Sequence, residues 1–317
     1  MRAFVFPGQG SQAVGMGQEL GQAFASARAV FEEVDDALSQ SLSTLMAEGP
    51  LETLTLTENA QPALMAVSMA VVRVLEQDCG VDLAKAAGRV AGHSLGEYSA
   101  LAAAGTLSLS DTARLLKIRG KAMQEAVPVG VGAMAALIGL DLDVAREVAA
   151  EAEAAFPDGD KVCTAANDNA PGQVVVSGHK EAVEKACVIA KERGCRRPMM
   201  LPVSAPFHCS LMEPAAKVMA EALADVAFAR PSVPLVANVT AETVSDPEVI
   251  RTQLVAQVTG AVRWRESVLH MVDAGVTELV ELGSGKVLSG MAKRIHPELV
   301  GKSIQGPADV EAIAASL

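Results

Sequence analysis

The sequence predicts an α/β fold in which a large domain with a mostly parallel sheet carries a small inserted domain. Three observations lead to this prediction. Strand-like and helix-like segments alternate over residues 1–129 and 202–317, and such alternation is typical of a parallel sheet covered by helices. Between these parts, residues 133–201 follow the order βαββαβ. Finally, a glycine-bracketed serine at residues 92–96 lies between an apolar strand and an alanine-rich helix.

The elements of the large domain are predicted on both sides of the insertion. Residues 1–6 alternate as a strand, and helical patterns then extend to about residue 78. A short strand leads to Gly92, and two helices follow to about Ala126, the second with Asp111 as its N-cap. Later in the chain, helices alternate with strands near residues 234–239 and 277–282. This order predicts one mostly parallel sheet that is covered on both faces.

The small domain follows a linker that contains Pro128, Gly130 and Gly132. Its predicted elements are, in order, a strand (134–139), a helix (142–155), a strand (162–167), a turn (169–172), a strand (173–177), a helix (180–193) and a strand (197–201). This order is that of a ferredoxin-like unit. We place the inserted domain at residues 130–201 and the large domain at residues 1–129 and 202–317, with the ligand cleft between them.

Composition narrows the function before any motif is considered. The chain has 317 residues, a formal net charge of −12 and 3% aromatic residues, which argues against nucleic-acid binding. Its five cysteines are scattered and form no C-x-x-C pair, as expected of reduced thiols. The N-terminal apolar run is too short for a signal peptide, and the apolar stretch at residues 63–72 stops at Arg73. We therefore expect a cytoplasmic protein with no membrane span.

Residues 92–96 read GHSLG, a G-x-S-x-G pattern between a strand and a helix. The two glycines allow close backbone approach at a sharp turn, which is typical of the nucleophile elbow in an α/β-hydrolase-like domain. Such a turn exposes the Ser94 hydroxyl and places the Leu95 amide at a helix N-terminus, where it can stabilise an oxyanion. The alternative is an ordinary glycine-bracketed turn. The elbow predicts acyl transfer through a serine.

A serine nucleophile needs a base, and the chain has five histidines. Four of them are explained by the turn, by a helix start or by surface positions: His93, His179, His270 and His296. His208 lies in a proline-bearing loop between a strand and a helix, where catalytic side chains concentrate. It is either the base or a buried structural histidine. No acidic partner stands out, because turn chemistry explains Asp160 and Asp168 better.

Three other features each allow two interpretations. Arg119 follows an apolar helical stretch and either satisfies a helix C-terminus or presents a fixed guanidinium to a carboxylate. Gln9 lies between two glycines after the first strand, in a loop that is either a plain turn or a ligand contact. Residues 283–286 read GSGK and resemble a phosphate-binding loop without the full P-loop spacing, so we interpret them as a turn.

Together these motifs resemble one family, the malonyl-CoA:acyl carrier protein transacylases of type II fatty acid synthesis. The resembling stretches are FPGQGSQAVGM (6–16), GHSLGEYSAL (92–101), RGKAMQ (119–124), NAPGQVVVSG (169–178), FHCSLM (207–212) and ELGSGKVL (281–288). They follow the family's order over nearly the whole chain. Two residues depart from the pattern: Ser284, where proline is common, and Arg263, where glutamine often precedes the tryptophan. Acyltransferase domains of polyketide synthases share the serine, the histidine and the arginine.

The resemblance implies the catalytic roles. Ser94 would be the nucleophile and His208 the general base. Gln9 and the Leu95 amide would form the oxyanion hole. The backbone carbonyl at Gln257 would steady the histidine, which would account for the missing acid.

The resemblance also implies how the acyl group is held. Arg119 would bind the malonyl carboxylate. Met123 and Asn169 would line the acyl pocket, and Phe207 resembles the malonyl-selective form of its motif. The implied reaction moves a malonyl group from malonyl-CoA to the phosphopantetheine thiol of acyl carrier protein, with coenzyme A as product, no metal and no permanently bound cofactor.

The predicted partner is acidic, and so is this chain, so docking requires a local basic patch. Two basic clusters are candidates, the first of Lys191, Arg193, Arg196 and Arg197 and the second of Lys286, Lys293 and Arg294. We expect a monomer, because no apolar surface helix stands out. Three other functions compete: a serine hydrolase that releases its acyl group to water, a carrier-binding module that forms no acyl-serine, and an acyltransferase of a polyketide pathway, whose chemistry and residues would coincide with these.

Overall fold

The computed structural model describes residues 1–156, 159–203 and 205–317. Within these residues ten strands form two sheets. In chain order they are β1 (Arg2–Phe6), β2 (Arg89–Gly92), β3 (Gly132–Ile138), β4 (Cys163–Ala170), β5 (Gln173–His179), β6 (Arg197–Met200), β7 (Leu235–Val236), β8 (Thr243–Val244), β9 (Glu278–Leu282) and β10 (Val300–Ile304).

The same residues form fifteen α-helices and two short 3-10 helices, Ser210–Met212 and Ala314–Ser316. The α-helices are α1 (Gln18–Ala23), α2 (Ala25–Leu38), α3 (Leu42–Glu48), α4 (Leu51–Thr55), α5 (Thr57–Gln77), α6 (Leu83–Ala86), α7 (Gly96–Ala103), α8 (Leu109–Glu125), α9 (Leu142–Ala154), α10 (Lys180–Glu192), α11 (Glu213–Ala224), α12 (Pro247–Thr259), α13 (Trp264–Asp273), α14 (Val287–Ile295) and α15 (Pro307–Ile313). No helix among the described residues is long and apolar enough to span a membrane.

The larger sheet has six strands in the order β10-β9-β1-β2-β7-β8. Its strands pair in parallel, except that β7 and β8 pair antiparallel. The central strand β1 is apolar and buried from Ala3 to Phe6, as expected for a strand that helices cover on both faces. The prediction of a mostly parallel sheet in an α/β protein is therefore confirmed.

The smaller sheet has four antiparallel strands in the order β4-β5-β3-β6. With α9 and α10 they follow the predicted order βαββαβ. One sheet face carries Leu137 and Val176 into a core with Val148 of α9 and Val183 of α10. The opposite face contributes residues to the main core, so the small sheet packs against the rest of the molecule. The division at residues 130–201 stays a prediction.

Some local predictions were wrong. Ser108, not Asp111, is the N-cap of α8, and its hydroxyl accepts the backbone N–H of Asp111. Strand β4 continues to Ala170, into the predicted turn, because its bulged register prolongs the pairing with β5. Strands β8 and β10 were not predicted. Arg119 lies inside α8 and not at its end, because the helix continues to Glu125.

The parallel register of β1 and β2 places two loops side by side. Phe6 pairs with Gly92, so both strands end at the same edge of the sheet. The loop with Gln9 follows β1, and the loop with Ser94 follows β2. At this edge the small sheet is also attached, through a bridge between Asn167 and Val262. Ligand sites in parallel sheets usually lie at such carboxyl ends.

Candidate active site

The turn between β2 and α7 has the geometry of a nucleophile elbow. Ser94 has a left-handed backbone, with φ of 53°, which a non-glycine residue adopts at a cost in energy. A Cβ on Gly92 would lie 1.9 Å from the carbonyl carbon of Gly96. A Cβ on Gly96 would lie 2.2 Å from the backbone oxygen of Phe6. Both glycines are therefore required sterically.

Replacing Gly96 with alanine is expected to lower the free energy of unfolding by about 1–3 kcal/mol, because backbone atoms must move to admit the methyl group. Gly290→Ala is the matched control, since nothing lies within 4 Å of a Cβ at that helical glycine. The control should stay within about 1 kcal/mol of wild type. Urea unfolding of both variants measures the difference, and equal stabilities would contradict this account of the turn.

Ser94 and His208 are 114 positions apart in the sequence, but the fold brings them into contact. Ser94 Oγ lies 2.8 Å from His208 Nε2. His208 Nδ1 lies 2.9 Å from the backbone oxygen of Gln257 and 3.1 Å from that of Gly260. Because carbonyl oxygens only accept, Nδ1 carries the proton and donates to them. Nε2 is then free to accept the proton of the serine hydroxyl.

His208 is held in its neutral form. Burial, followed by the nearby charge of Arg119, lowers the pKa of His208 to about 3. The folded protein therefore binds this proton less readily than the unfolded chain, whose histidine has a pKa of about 6.5. The stability associated with neutral His208 is present above about pH 6.5 and is lost progressively as the pH falls towards 3.

His208→Asn removes this titration and retains a residue type that tolerates the left-handed backbone, with φ of 59° at this position. Between pH 6.5 and pH 4.5, wild type is expected to lose stability relative to this variant by roughly 1 kcal/mol per pH unit. Chemical unfolding of both proteins across the range measures the difference. A pH-independent difference would show that His208 titrates normally in the folded protein.

Arg119 is buried beside the nucleophile, with 1% of its surface exposed. Nη2 donates to Ser94 Oγ over 3.1 Å and to Gln257 Oε1 over 2.9 Å. Nη1 donates to Gln61 Oε1 over 2.7 Å, and the guanidinium carbon lies 5.7 Å from the centroid of the Tyr98 ring. The guanidinium therefore faces Ser94 and not a helix terminus, and its binding of a carboxylate stays a prediction.

The hydrogen-bond partners of Arg119 are uncharged oxygens, and Nε has no partner among the residues that the structure describes. Burial lowers the pKa of the guanidinium from its usual value. Arginine nevertheless keeps its charge at neutral pH. A buried cation with an unfilled donor next to a nucleophile is suited to binding an anionic group of a ligand.

The sequence analysis gave no role to three polar residues of this site, Gln61, Glu97 and Asn238, or to the side chain of Gln257, of which it assigned only the backbone carbonyl. The side chain of Gln257 donates through Nε2 to Glu97 Oε2 over 2.8 Å and to the Ser94 backbone oxygen over 3.0 Å. Asn238 accepts the Ser94 backbone N–H over 2.8 Å and donates to the backbone oxygen of Gly92 over 2.7 Å. The available signal was a polar residue within an apolar stretch, as at Gln61 in α5 and at Asn238 after β7.

A cavity of about 370 Å³ opens above Ser94. Its lining includes all the predicted acyl-pocket and oxyanion residues except Asn169, namely Gln9, Leu95, Arg119, Met123 and Phe207, with Ser94 and His208. Leu95 precedes α7, so its backbone amide lies at that helix's N-terminal end. The Gln9 side chain donates to Thr57 Oγ1 over 3.5 Å, a long bond that a ligand can replace.

Asn169 lies outside this cavity. Its Oδ1 is 2.8 Å from His93 Nε2, and both residues line a neighbouring cavity of about 120 Å³. Asn167 lines the larger cavity in its place. The bulges of β4 on either side of Asn167 and Asp168 disturb the alternation of side chains, which explains this placement. A contact of Asn169 with an acyl group stays a prediction.

The acidic candidates are engaged elsewhere. Asp168 accepts from Arg265 Nε over 2.9 Å, and Asp160 forms an ion pair with Lys161. Within the described residues, no group of three or more His, Cys, Asp or Glu side chains is arranged to hold a metal ion.

The two basic clusters differ in how far their charges are already paired. In the first, Arg193 forms ion pairs with Glu147 and Glu151. In the second, Arg294 donates to the Gln173 side chain and to the Pro171 backbone oxygen, both uncharged. The second cluster belongs to α14 and its N-cap Lys286, and residues of α14 line the smaller cavity. Carrier docking by either cluster stays a prediction.

Comparison with known proteins identifies the class first. The family model described as "Acyl transferase domain" matches residues 3–295. The chain is 46% identical over 318 aligned residues to the malonyl CoA-acyl carrier protein transacylase of Escherichia coli K12, covering 99% of this chain and 98% of the relative. The relative of the same name in Bacillus subtilis is 43% identical, covering 98% and 95%.

Solved structures agree. An acyl-carrier-protein-S-malonyltransferase from Bartonella henselae aligns with a TM-score of 0.95 and 54% identity, covering 99% of this chain and 98% of that one. A malonyl-transacylase solved in complex with its type II polyketide acyl-carrier protein aligns with a TM-score of 0.94 and 41% identity, covering 100% and 99%. The chain therefore belongs to the acyl transferase family and, within it, to the malonyl CoA-acyl carrier protein transacylases.

Proposed function

We propose that this protein transfers the malonyl group of malonyl-CoA to the phosphopantetheine thiol of acyl carrier protein through a malonyl-serine at Ser94, supplying the extender unit for fatty acid synthesis. The observation that carries the proposal is the buried guanidinium of Arg119, 3.1 Å from a serine hydroxyl that also contacts a neutral histidine. This arrangement combines a nucleophile, a base and a binding site for a carboxylate. The family membership of the chain supports the same reaction.

In the first half-reaction, His208 Nε2 takes the hydroxyl proton as Ser94 Oγ attacks the thioester carbon. Gln9 and the Leu95 amide, which line the same cavity, would donate to the oxygen that becomes negative. The imidazolium is stabilised by the carbonyl oxygens of Gln257 and Gly260. Collapse of the tetrahedral intermediate breaks the carbon–sulfur bond, and coenzyme A leaves as a thiol with the proton from His208.

The second half-reaction reverses these steps. His208 accepts the proton of the phosphopantetheine thiol, whose sulfur attacks the malonyl-serine ester. The ester bond breaks, and Ser94 Oγ recovers the proton from His208. Arg119 holds the malonyl carboxylate in both halves, while Phe207 and Met123 bound the space around the acyl chain. The first half-reaction replaces the acyl carbon–sulfur bond with a carbon–oxygen bond, and the second does the reverse. The reaction therefore requires no further reactant.

Intact-mass measurement tests this proposal. Wild-type protein is mixed briefly with malonyl-CoA or, in parallel, with acetyl-CoA, and holo acyl carrier protein is then added. We expect a malonyl adduct that is transferred to the carrier, and a much weaker acetyl adduct. An adduct that decays to free malonate and ignores the carrier would identify a hydrolase instead. Absence of an adduct under both conditions would favour a carrier-binding module.

A further inference from the structure

A buried carboxylate lies next to the candidate active site and takes no part in the mechanism described above. Glu97 is in the first turn of α7 and is 1% exposed. Its Oε2 accepts from Gln257 Nε2 over 2.8 Å and from the Asn238 backbone N–H over 3.1 Å, whereas Oε1 has no partner among the described residues. Burying a carboxylate is costly, and burial raises the pKa of Glu97 to about 7. This cost calls for a compensating role.

The contact with Glu97 determines which way the Gln257 amide faces. Its Nε2 donates to Glu97 and to the backbone oxygen of Ser94, and its Oε1 accepts from Arg119. Turning the amide over would place Oε1 against two acceptors and the NH2 group against the guanidinium. An ionised carboxylate is an acceptor only, so in that form Glu97 favours the observed orientation together with Arg119 and the Ser94 carbonyl.

Gln257 in turn contacts both partners of the nucleophile. Its side-chain oxygen holds Nη2 of Arg119, the nitrogen that also reaches Ser94, and its backbone oxygen accepts from His208 Nδ1. We propose that Glu97 is a positioning residue for malonyl selectivity: it orients the Gln257 amide, which holds the Arg119 guanidinium in place for the malonyl carboxylate. This inference rests on the proposed function, because it concerns the carboxylate that Arg119 would bind.

Glu97→Met tests the inference, because methionine has a similar volume and no strong acceptor. We expect malonyl-serine formation at limiting malonyl-CoA to slow about 10- to 100-fold, by analogy with the loss of a residue that orients a metal ligand. Acetyl-serine formation should change little. The ratio of the malonyl-serine rate to the acetyl-serine rate should therefore fall. Glu97→Gln keeps an acceptor but can also donate, so its ratio should fall between those of Glu97→Met and wild type.

A double-mutant cycle with Gln257→Met tests the route of the effect. This substitution removes the amide but keeps the backbone carbonyl that holds His208. Gln257→Met by itself should lower the ratio of malonyl to acetyl acylation rates. Adding Glu97→Met should then change this ratio little, because both substitutions break the same chain of contacts from Glu97 through Gln257 to Arg119. If Glu97→Met does not fold, Gln257→Met still tests the inference, because it removes the amide that Glu97 contacts. Ser99→Ala is the control, since this buried serine of α7 has no hydrogen-bond partner among the described residues.

The outcomes separate this inference from the proposed function. If wild type forms the malonyl adduct but Glu97→Met or Gln257→Met lowers malonyl and acetyl transfer equally, the role of Glu97 is structural and only this inference is overturned. The inference is also overturned if Glu97→Met lowers the malonyl-to-acetyl rate ratio as much in the Gln257→Met variant as it does in wild type. If wild type forms no malonyl adduct, the proposed function fails first, and the inference falls with it.

Discussion

Replacing Arg119 with alanine is expected to lower malonyl transfer by several orders of magnitude while acetyl transfer falls little or rises. The guanidinium is 1% exposed and 3.1 Å from Ser94 Oγ, so the malonyl carboxylate would meet it without intervening water. Sites built around such a polar contact discriminate by about 10⁴-fold against analogues that lack the group. Acetyl groups have no carboxylate and would leave the buried cation unpaired in wild type. The substitution removes that penalty.

The measurement is the initial rate of acyl-serine formation with each thioester, followed by intact mass. Arg114→Ala is a suitable control, because this arginine is on the same helix and 53% of its side chain is exposed. It should leave both rates unchanged. Equal losses for malonyl and acetyl groups in Arg119→Ala would mean that the guanidinium serves the fold or the nucleophile and not the carboxylate. Thermal unfolding of each variant shows whether the protein remains folded.

Ser94→Ala is expected to abolish the acyl adduct with either thioester. Alanine keeps the Cβ and has the same backbone restrictions as serine, so the turn with φ of 53° should persist. The neighbouring Cys209 is buried, and burial raises the pKa of its thiol, so it offers no replacement thiolate. Binding of malonyl-CoA should survive, since Arg119 and the cavity remain.

Intact mass and calorimetric titration with malonyl-CoA distinguish these two properties. Ser99→Ala again serves as the control, because Ser99 is five residues further along and is completely buried in α7. That variant should form the adduct at the wild-type rate. A malonyl adduct on Ser94→Ala would place the nucleophile elsewhere and contradict the assignment of Ser94.

Predictions from the sequence were most successful where the signal is local. The G-x-S-x-G turn depends on close backbone contacts between Gly92, Gly96 and Phe6, and only glycine meets that requirement. The order βαββαβ follows from hydrophobic periodicity, and the observed strands and helices differ from it by only a few residues. The family resemblance in the sequence was confirmed by the comparisons. The individual roles of the site residues stay predictions.

Predictions were least successful where several elements meet. The cap of α8 was assigned to Asp111 because Ser108 and Asp111 are both good capping residues, and the choice depends on where the chain turns. The sequence analysis assigned no role to Glu97, and nothing in the local sequence indicates that α7 is packed so deeply that every residue of it is buried. Two bulges in β4 lead Asn167 to line the cavity above Ser94, which the sequence did not indicate, while the contact of Asn169 with an acyl group stays a prediction.

The sequence by itself determined the α/β class, the small inserted unit, the elbow serine and the family, because these depend on periodicity, on glycine sterics and on motifs within short stretches. Only the tertiary structure decided where the side chains of Arg119 and His208 lie and what they contact. Sequence spacing left each with two interpretations, since a helix residue and a loop residue are assigned a partner only when distant elements pack together. The parallel pairing of β1 with β2 and the packing of α8 and α12 around the elbow bring Ser94, Arg119, His208 and Gln257 within hydrogen-bonding distance.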